Sequence, residues 1–258
     1  MTLTQALALS LNTVSVRLTM ELGPAEVIRT AHRLGIASPL EPNASIALGT
    51  SEVSVLELVG AYATFANGGY AASPHVIERI NDAKGKLLYA RDDRSLGRVV
   101  DDAYVAEMNA MMQQTLLIGT AKHAAFASWP AAGKTGTSQD FRDAWFIGYT
   151  AHLVTGVWLG NDDNTPTKHT TGGSLPVDIW SRFMTGAHQG VPVADLPGSG
   201  GGLFSSLFGG ARSSAPVPPS TVGAAPMPPA SIASAASAAP QANTGLDGWL
   251  LNNLLGRR

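Results

Sequence analysis

Apolar residues recur with helical spacing in several segments between the N-terminus and residue 190. The clearest pattern begins at Ser54-Val-Leu-Glu57, which matches the S-x-x-E capping box, and ends at Asn67-Gly68-Gly69. Its apolar positions are Val55, Leu58, Val59, Tyr62 and Phe65. Because residues three and four apart lie on the same side of a helix, this segment is predicted to form an amphipathic helix.

The same spacing predicts three further helices. One begins after Gly23-Pro24 and is closed by Gly35; its residues expected to be buried are Val27, Ile28, Ala31 and Leu34. Another runs from Asp101 to Leu117, with two carboxylates at its N-terminus, where the helix dipole favours negative charge. A last helix covers Leu175 to His188. It presents Ile179, Trp180, Phe183 and Met184 as its apolar face.

Extended segments separate these helices. The runs HVIERI and KLLYAR flank Asn81-Asp-Ala-Lys-Gly85, which predicts a hairpin. Three more strands are predicted at Ala132–Ser138, Asp143–Thr150 and Leu153–Gly160. The last two are joined by only Ala151-His152, so they must be antiparallel neighbours. Both are apolar on two faces, which predicts an α+β fold with an antiparallel sheet flanked by helices on both faces.

Composition divides the chain and limits its chemistry. Residues 1–190 are predicted to be globular, whereas residues 191–244 are rich in Gly, Ala, Ser and Pro and are predicted to be disordered. Residues 245–258 form a short amphipathic peptide, interpreted as a frayed tail or a docking peptide. The net charge of −2 argues against nucleic-acid binding, and the absence of cysteine excludes disulfides and thiolate chemistry. The six histidines are scattered, so no metal site is predicted.

The run GKTGT at residues 133–137 raises the possibility of a phosphate-binding loop. The Walker pattern would require glycine at position 128, where this chain has Ser128. It would also require a helix after Lys134-Thr135, whereas the following residues carry no helix signal. Nucleotide binding is therefore rejected.

The same lysine matches a different pattern, the Lys-Thr-Gly box of serine acyl-transferases that react with β-lactams. Lys134-Thr135-Gly136-Thr137 lies on a predicted strand that is followed by antiparallel partners. The S-x-N element that accompanies this box is present as Ser10-Leu11-Asn12, where two apolar helical runs meet. The two elements together predict an active site for acyl transfer.

Longer runs make the resemblance specific. The segments TLTQALALSLN, ALGTSEVSVLELVGAYATFANGG and AGKTGTSQDFRDAWFIGYT with VTGVWLGNDD resemble the transpeptidase domain of class A penicillin-binding proteins, from Thr2 to Met184. The resemblance implies a serine β-lactamase-like fold over residues 1–190. It also implies a periplasmic enzyme, without a cofactor, that cross-links peptidoglycan stem peptides ending in D-Ala-D-Ala and is acylated by penicillins.

Residue roles follow from that resemblance. Ser10 and Lys134 would face the nucleophile and pass protons between it and the leaving amine. The backbone N–H of Thr137 would donate to the oxyanion, and the hydroxyls of Thr135 and Thr137 would hold the terminal carboxylate. Gly136 would let the substrate backbone approach the strand, and Asn12 would bind the substrate's amide.

The chain departs from the family at one decisive point. The family's nucleophile belongs to a Ser-x-x-Lys box, and this sequence contains none; Thr165-Pro-Thr-Lys168 is discounted because Pro166 blocks a regular helix. We therefore expect that the N-terminal strands and the nucleophile helix are missing, that Met1 matches an internal family position, and that the chain alone is inactive and marginally stable. The membrane anchor and glycosyltransferase domain of class A members are likewise expected upstream and are absent here.

Two further expectations concern the edge of the sheet and the function of the chain. Without the first two strands, a sheet edge next to LVTGVWLG should be exposed. Two alternative functions also stay open: a non-catalytic binding remnant of the same fold, and a class A or D β-lactamase.

Overall fold

A computed structural model describes residues 1–92, 96–124, 126 and 128–199 of the chain. The α-helices in this part are α1 (Leu3–Ala8), α2 (Asn12–Leu22), α3 (Pro24–Arg33), α4 (Val55–Ala66), α5 (Asp102–Leu117) and α6 (Leu175–Ala187). The strands are β1 (Arg79–Asn81), β2 (Leu87–Ala90), β3 (Ala132–Thr137), β4 (Asp143–Tyr149) and β5 (Val154–Gly160). Short 3-10 helices occur at Ala44–Leu48 and Gln139–Phe141.

The predicted three-stranded sheet is confirmed. Strands β3, β4 and β5 are antiparallel neighbours in that order, with Lys134 opposite Ile147 and Ile147 opposite Gly156. The β4–β5 connection is closed by a hydrogen bond of 3.0 Å from the backbone N–H of Thr150 to the carbonyl of Leu153. The separate hairpin of β1 and β2 is also confirmed, as is the capping box of α4 between Ser54 and Glu57.

Helices cover both faces of this sheet, as the sequence predicts. On one face α6 contacts β4 and β5, and Trp180 packs edge-on against Phe146 at 5.2 Å between ring centroids. The Trp180 indole N–H also donates to the carbonyl of Gly148 at 3.0 Å. On the opposite face lie α4 and α5, where Tyr149 meets Tyr62 edge-on. The fold is therefore α+β, with an apolar layer on each side of the sheet.

A buried side-chain amide connects the elements of the layer that contains α4 and α5. Asn109 of α5 is fully buried, and its side-chain N–H groups donate to the carbonyls of Phe65 at 3.2 Å and Pro197 at 2.9 Å. Its side-chain oxygen accepts from the Tyr149 hydroxyl at 2.6 Å. One side chain thus joins α4, α5, β4 and the segment after α6. Buried polar groups are tolerated only when they are bonded in this way.

The packed region extends beyond the boundary predicted at residue 190. Leu196 is 2 % exposed and packs in the cluster that contains Tyr149 and Met112. The carbonyl of Pro192 accepts a hydrogen bond from His152 at 2.9 Å. The remaining predicted disordered segment and the C-terminal peptide 245–258 lie outside the described residues. Within the described ranges, no helix combines the length and apolar character needed to cross a membrane.

Strand β5 is less buried than its sequence predicts. All seven of its residues are half-buried, whereas five of the seven residues of β4 are buried. The reason is position: among the described residues β5 pairs only with β4, so its other edge carries no strand. The sheet edge expected to be exposed next to LVTGVWLG is therefore observed among the described residues, whereas the burial expected from the apolar content of both faces is not.

Two helices also differ from prediction in what they bury. In α6, Trp180 and Met184 are fully buried, whereas Ile179 and Phe183 are 38 % and 52 % exposed. The side of α6 that carries Ile179 and Phe183 is therefore only partly covered by the described part of the chain. None of the apolar residues predicted to be buried in α3 is fully buried, because among the described elements α3 packs mainly against α2 and the first 3-10 helix.

Replacing Asn109 with alanine is expected to destabilise the fold by about 3 kcal/mol, because two carbonyls and a tyrosine hydroxyl lose their partner in the interior. Tyr149→Phe removes only one of these bonds and should cost about 1–2 kcal/mol. Chemical denaturation of the three proteins measures both losses.

Asn161→Ala is the matched control for this test. The Asn161 amide also donates to two carbonyls, those of Thr165 and Pro166, but the residue is exposed. Water replaces these bonds, so the loss should stay under about 1 kcal/mol. Equal losses for Asn109→Ala and Asn161→Ala would contradict the connecting role of the buried amide.

Candidate active site

Ser10 lies at the tight turn that ends α1. Its backbone N–H donates to the carbonyl of Leu7 at 3.0 Å, and the next N–H, of Leu11, donates to the carbonyl of Ala6 at 2.9 Å. This bond pair is a Schellman motif with Ser10 at the first position beyond the helix cap. The motif requires a left-handed backbone there, and Ser10 has φ 55°.

A serine is an unusual choice at this position. Glycine is the usual occupant because a Cβ in the left-handed region meets the following carbonyl. Strained backbone of this kind often marks a functional residue, because the surrounding structure maintains the conformation that places its side chain. Here the turn directs the Ser10 hydroxyl to Lys134, and α2 begins only two residues later at Asn12.

Lys134, on β3, is the cation of the site. Its ammonium donates to the Ser10 hydroxyl at 2.8 Å and to the backbone carbonyl of Thr135 at 3.0 Å. Burial lowers the pKa of Lys134 from its ordinary value to about 8. Both partners are neutral oxygens, so the lysine is held without a neutralising carboxylate. A lysine of this pKa can both donate and accept a proton near neutral pH.

The two faces of β3 carry different groups. Lys134 lies opposite Ile147 and shares the face covered by α4 and α5, whereas Thr135 lies opposite Phe146 and shares the α6 face with Thr137. The Thr135 hydroxyl is 2.6 Å from the hydroxyl of Thr120. The Thr137 hydroxyl accepts from the backbone N–H of Gly172 at 2.9 Å.

These groups surround a cavity of about 410 Å³. Its lining residues are Ser10, Asn12, Thr120, Thr135, Thr137, Thr171 and Gly173. Five of the seven carry hydroxyls, one carries an amide, and none carries a carboxylate. Hydroxyl donors beside a lysine ammonium suit a carboxylate ligand, because every group can offer a hydrogen to the anion.

The walls of the cavity are tied together behind this surface. The backbone N–H of Thr120 donates to the carbonyl of Ala8 at 3.1 Å, which joins the end of α1 to the segment after α5. This approach depends on Gly119, since a Cβ there would overlap the Ala8 carbonyl. The loop before α6 lies equally close, because a Cβ on Gly173 would lie 2.6 Å from the Thr120 carbonyl oxygen.

The predicted residues come together as follows. Ser10, Asn12, Thr135 and Thr137 all line the cavity, and Lys134 reaches it through Ser10. Gly136 does not line it; a Cβ there would lie 3.3 Å from that of Trp145. The roles assigned to these residues remain predictions.

Sequence reasoning missed Thr120, Thr171 and Gly173. Their sequence signals are weak: Thr120 follows Gly119 shortly after α5, and Thr171 and Gly173 belong to the run TTGG before α6. Thr165 does not line the cavity; its hydroxyl donates to Asp163 at 2.7 Å. In the part of the chain that the structure describes, no three His, Asp or Glu side chains are grouped so that they could hold a metal ion.

Comparison with known proteins places this geometry in context. The family model described as the penicillin binding protein transpeptidase domain matches residues 1–184. Penicillin-binding protein 1A from Neisseria meningitidis serogroup A is 37 % identical over 196 residues, which cover 73 % of this chain and 25 % of that protein. The chain thus spans about a quarter of the length of the curated relatives it matches.

Solved structures agree. Penicillin-binding protein PonA1 from Mycobacterium tuberculosis superimposes with a TM-score of 0.69 at 30 % identity, over 76 % of this chain and 58 % of that one. The same protein in complex with penicillin V gives a TM-score of 0.67, with the same identity and coverage. The resemblance drawn from the sequence is confirmed by these comparisons.

The strain at Ser10 can be measured with two variants that both remove the hydroxyl. Ser10→Gly is expected to be more stable than Ser10→Ala by about 1 kcal/mol, because only alanine keeps a Cβ in the left-handed region. Chemical denaturation gives the difference. At a position without backbone strain, the glycine variant is the less stable of the two. A Ser10→Gly variant less stable than Ser10→Ala would therefore show that Ser10 does not adopt the left-handed conformation of this turn.

The titration of Lys134 can be followed by NMR of the side-chain Cε and Nζ nuclei. A midpoint near pH 8 is expected, because burial favours the neutral amine. The Lys134→Met variant identifies the signal by its loss. A midpoint at the ordinary lysine value of about 10.4 would contradict the buried position of the ammonium.

Proposed function

Because the chain belongs to the transpeptidase domain family of penicillin-binding proteins, we propose that its cavity is the donor-peptide site of a serine-type D,D-transpeptidase. This activity cross-links peptidoglycan stem peptides that end in D-Ala-D-Ala. The observation that carries the proposal is the hydrogen bond of 2.8 Å between Lys134 and Ser10 beside a cavity lined by hydroxyls.

The terminal carboxylate of the donor peptide binds at Thr135 and Thr137, with the charge of Lys134 behind them. The Thr137 hydroxyl already accepts from the N–H of Gly172, so its own proton is free for the ligand. Asn12, at the rim of the cavity, donates its amide to the peptide backbone. Gly136 contributes only backbone to this site, because a Cβ there would face Trp145, and the peptide would pass along the backbone edge of β3. β-Lactams carry a carboxylate in an equivalent place and bind in the same way.

Ser10 and Lys134 carry protons in the reaction. A serine hydroxyl attacks the carbonyl of the penultimate D-Ala and passes its proton through Ser10 to the neutral form of Lys134, while the developing oxyanion accepts from the backbone N–H of Thr137. The C–N bond then breaks, and the terminal D-Ala leaves as an amine that receives its proton through Ser10 from Lys134. An acceptor amine attacks the resulting ester, which forms the cross-link and returns the proton to the serine.

The attacking serine would belong to a Ser-x-x-Lys box, which this sequence does not contain. We therefore propose that this chain supplies the second and third boxes of the site and, alone, binds ligands without forming an ester. By the same resemblance, the site works at the periplasmic face of the bacterial inner membrane, with a membrane anchor and a glycosyltransferase domain as its partners in the same polypeptide.

A non-catalytic binding function of the same fold is the second candidate, and the missing Ser-x-x-Lys is the observation that favours it. Labelled penicillin separates the two when added to the polypeptide as isolated from its source cells. A covalent label on a species that contains these residues and a Ser-x-x-Lys box supports the enzyme. Absence of a label on a species that begins at Met1 supports the binding function.

For the chain itself, intact-mass analysis after incubation with benzylpenicillin is expected to show the unmodified mass. NMR titration should still show saturable binding of diacetyl-L-Lys-D-Ala-D-Ala, in preference to the same peptide with a C-terminal amide. Affinity for the acid should fall as the pH rises through about 8, since Lys134 is charged below its pKa and neutral above it.

Lys134→Met serves as the control, because it should abolish this pH dependence while the chain stays folded. A penicillin adduct on Ser10 or any other serine would overturn the view that the nucleophile is absent. Failure of the wild-type chain to distinguish the acid from the amide would overturn the carboxylate site.

A further inference from the structure

We propose that Thr120 is a positioning residue that turns the hydroxyl proton of Thr135 toward the ligand's carboxylate. The inference deepens the proposed function and rests on it. Thr120 lies outside both motifs that the sequence shares with serine acyl-transferases, and it enters the site only through the fold.

The contact between the two threonines is short and sheltered. Their hydroxyl oxygens are 2.6 Å apart, and Thr135 is only 9 % exposed. Each hydroxyl has one hydrogen, so only one of the two can donate across this contact. If Thr135 donated to Thr120, it would have no hydrogen left for a ligand. If Thr120 donates, the hydrogen of Thr135 is free to enter the cavity.

An anion in the cavity selects the second arrangement. A carboxylate can only accept hydrogen bonds, so it favours the chain in which Thr120 donates to Thr135 and Thr135 donates to the carboxylate. Hydrogen bonds in series polarise one another, which strengthens the last bond to the anion. Thr120 therefore acts through Thr135 without touching the ligand's carboxylate.

The hydroxyl of Thr137 is arranged in the same way as that of Thr135. Thr137, two residues along the same face of β3, accepts from the backbone N–H of Gly172 at 2.9 Å, and that N–H can only donate. Both hydroxyls assigned to the carboxylate thus accept from a group behind them. For Thr137 the direction is set by the backbone N–H, and for Thr135 it is selected by the bound anion, with Thr120 as the donor.

Thr120 is held firmly enough to perform this role. Its backbone N–H donates to the carbonyl of Ala8 at 3.1 Å, and its own carbonyl lies against Gly173. It thereby contacts the end of α1, strand β3 and the loop before α6. Its β-branched side chain also has few rotamers, so its hydroxyl stays close to Thr135.

The test compares Thr120→Val with wild type in binding diacetyl-L-Lys-D-Ala-D-Ala and its C-terminal amide. Valine keeps the shape of threonine and removes the hydroxyl. Affinity for the acid is expected to fall about tenfold, the effect of weakening one hydrogen bond to a charged group, while affinity for the amide changes little. Thr120→Ser should restore the preference for the acid.

Thr115→Val is the matched control. Thr115 lies on α5 five residues before Thr120, and its buried hydroxyl has no hydrogen-bond partner among the described residues. The same chemical change there should leave the ratio of acid to amide affinity unaltered. Thermal melts of all variants monitor folding, and Thr120→Ala replaces Thr120→Val if the latter does not fold.

Each remaining outcome decides the matter. If Thr120→Val lowers the acid and amide affinities equally, Thr120 has a structural role only and the proposal is overturned. An unchanged ratio also overturns it. In the variant that carries both Thr120→Val and Thr135→Val, the loss should not exceed that of Thr135→Val alone; additive losses would contradict an action through Thr135. If wild type shows no preference for the acid, the proposed function itself fails, which is a different result.

Discussion

The hydrogen bond between Lys134 and Ser10 joins two residues 124 positions apart, and the candidate site depends on it. A partly buried ammonium with no carboxylate partner among the described residues must be solvated by neutral oxygens, and the Ser10 hydroxyl is one of the two that the structure shows. That hydroxyl reaches Lys134 only because the turn after α1 adopts a left-handed backbone. The turn in turn reaches β3 because α1 packs on α5, and Thr120 ties its last residues in place. The strained turn at Ser10 and the packing of α1 on α5 are thus both needed for the hydrogen bond between Ser10 and Lys134.

The core also depends on buried polar groups that form hydrogen bonds with one another. Asn109 joins α4, α5, β4 and the chain near Pro197 with three hydrogen bonds, in a layer whose core is mostly apolar. On the opposite face Trp180 both fills space and donates to the sheet backbone. In each layer polar contacts of this kind join elements whose apolar surfaces also pack together. The face of β3 that carries the cavity hydroxyls is part of this arrangement, so the geometry of the site follows from that of the core.

Much of the fold was predictable because its signals are local. The capping box at Ser54, the two-residue connection after β4 and the Lys-Thr-Gly strand are each specified by a few adjacent residues. The exposure of Phe183 was not predictable, since it depends on which elements are neighbours in space, whereas the open sheet edge beside β5 was expected from the sequence. Leu196 was missed because a lone leucine among Gly and Pro carries no periodicity. The sequence motifs placed Ser10 and Lys134 in the candidate site but not Thr120, which joins the cavity lining through contacts made by tertiary packing.

The absence of carboxylates from the cavity lining also has a consequence for binding kinetics. The site presents one partly buried positive charge and several neutral donors, within a protein whose net charge is −2. With no carboxylate in the lining to neutralise it, this charge acts on an anion that enters the cavity, and the low-dielectric walls concentrate its field there. At longer range the attraction is small, because salt screens it and the protein as a whole is negatively charged. A ligand would therefore be attracted over the last part of its approach and then retained by short-range hydrogen bonds, which act on the dissociation rate.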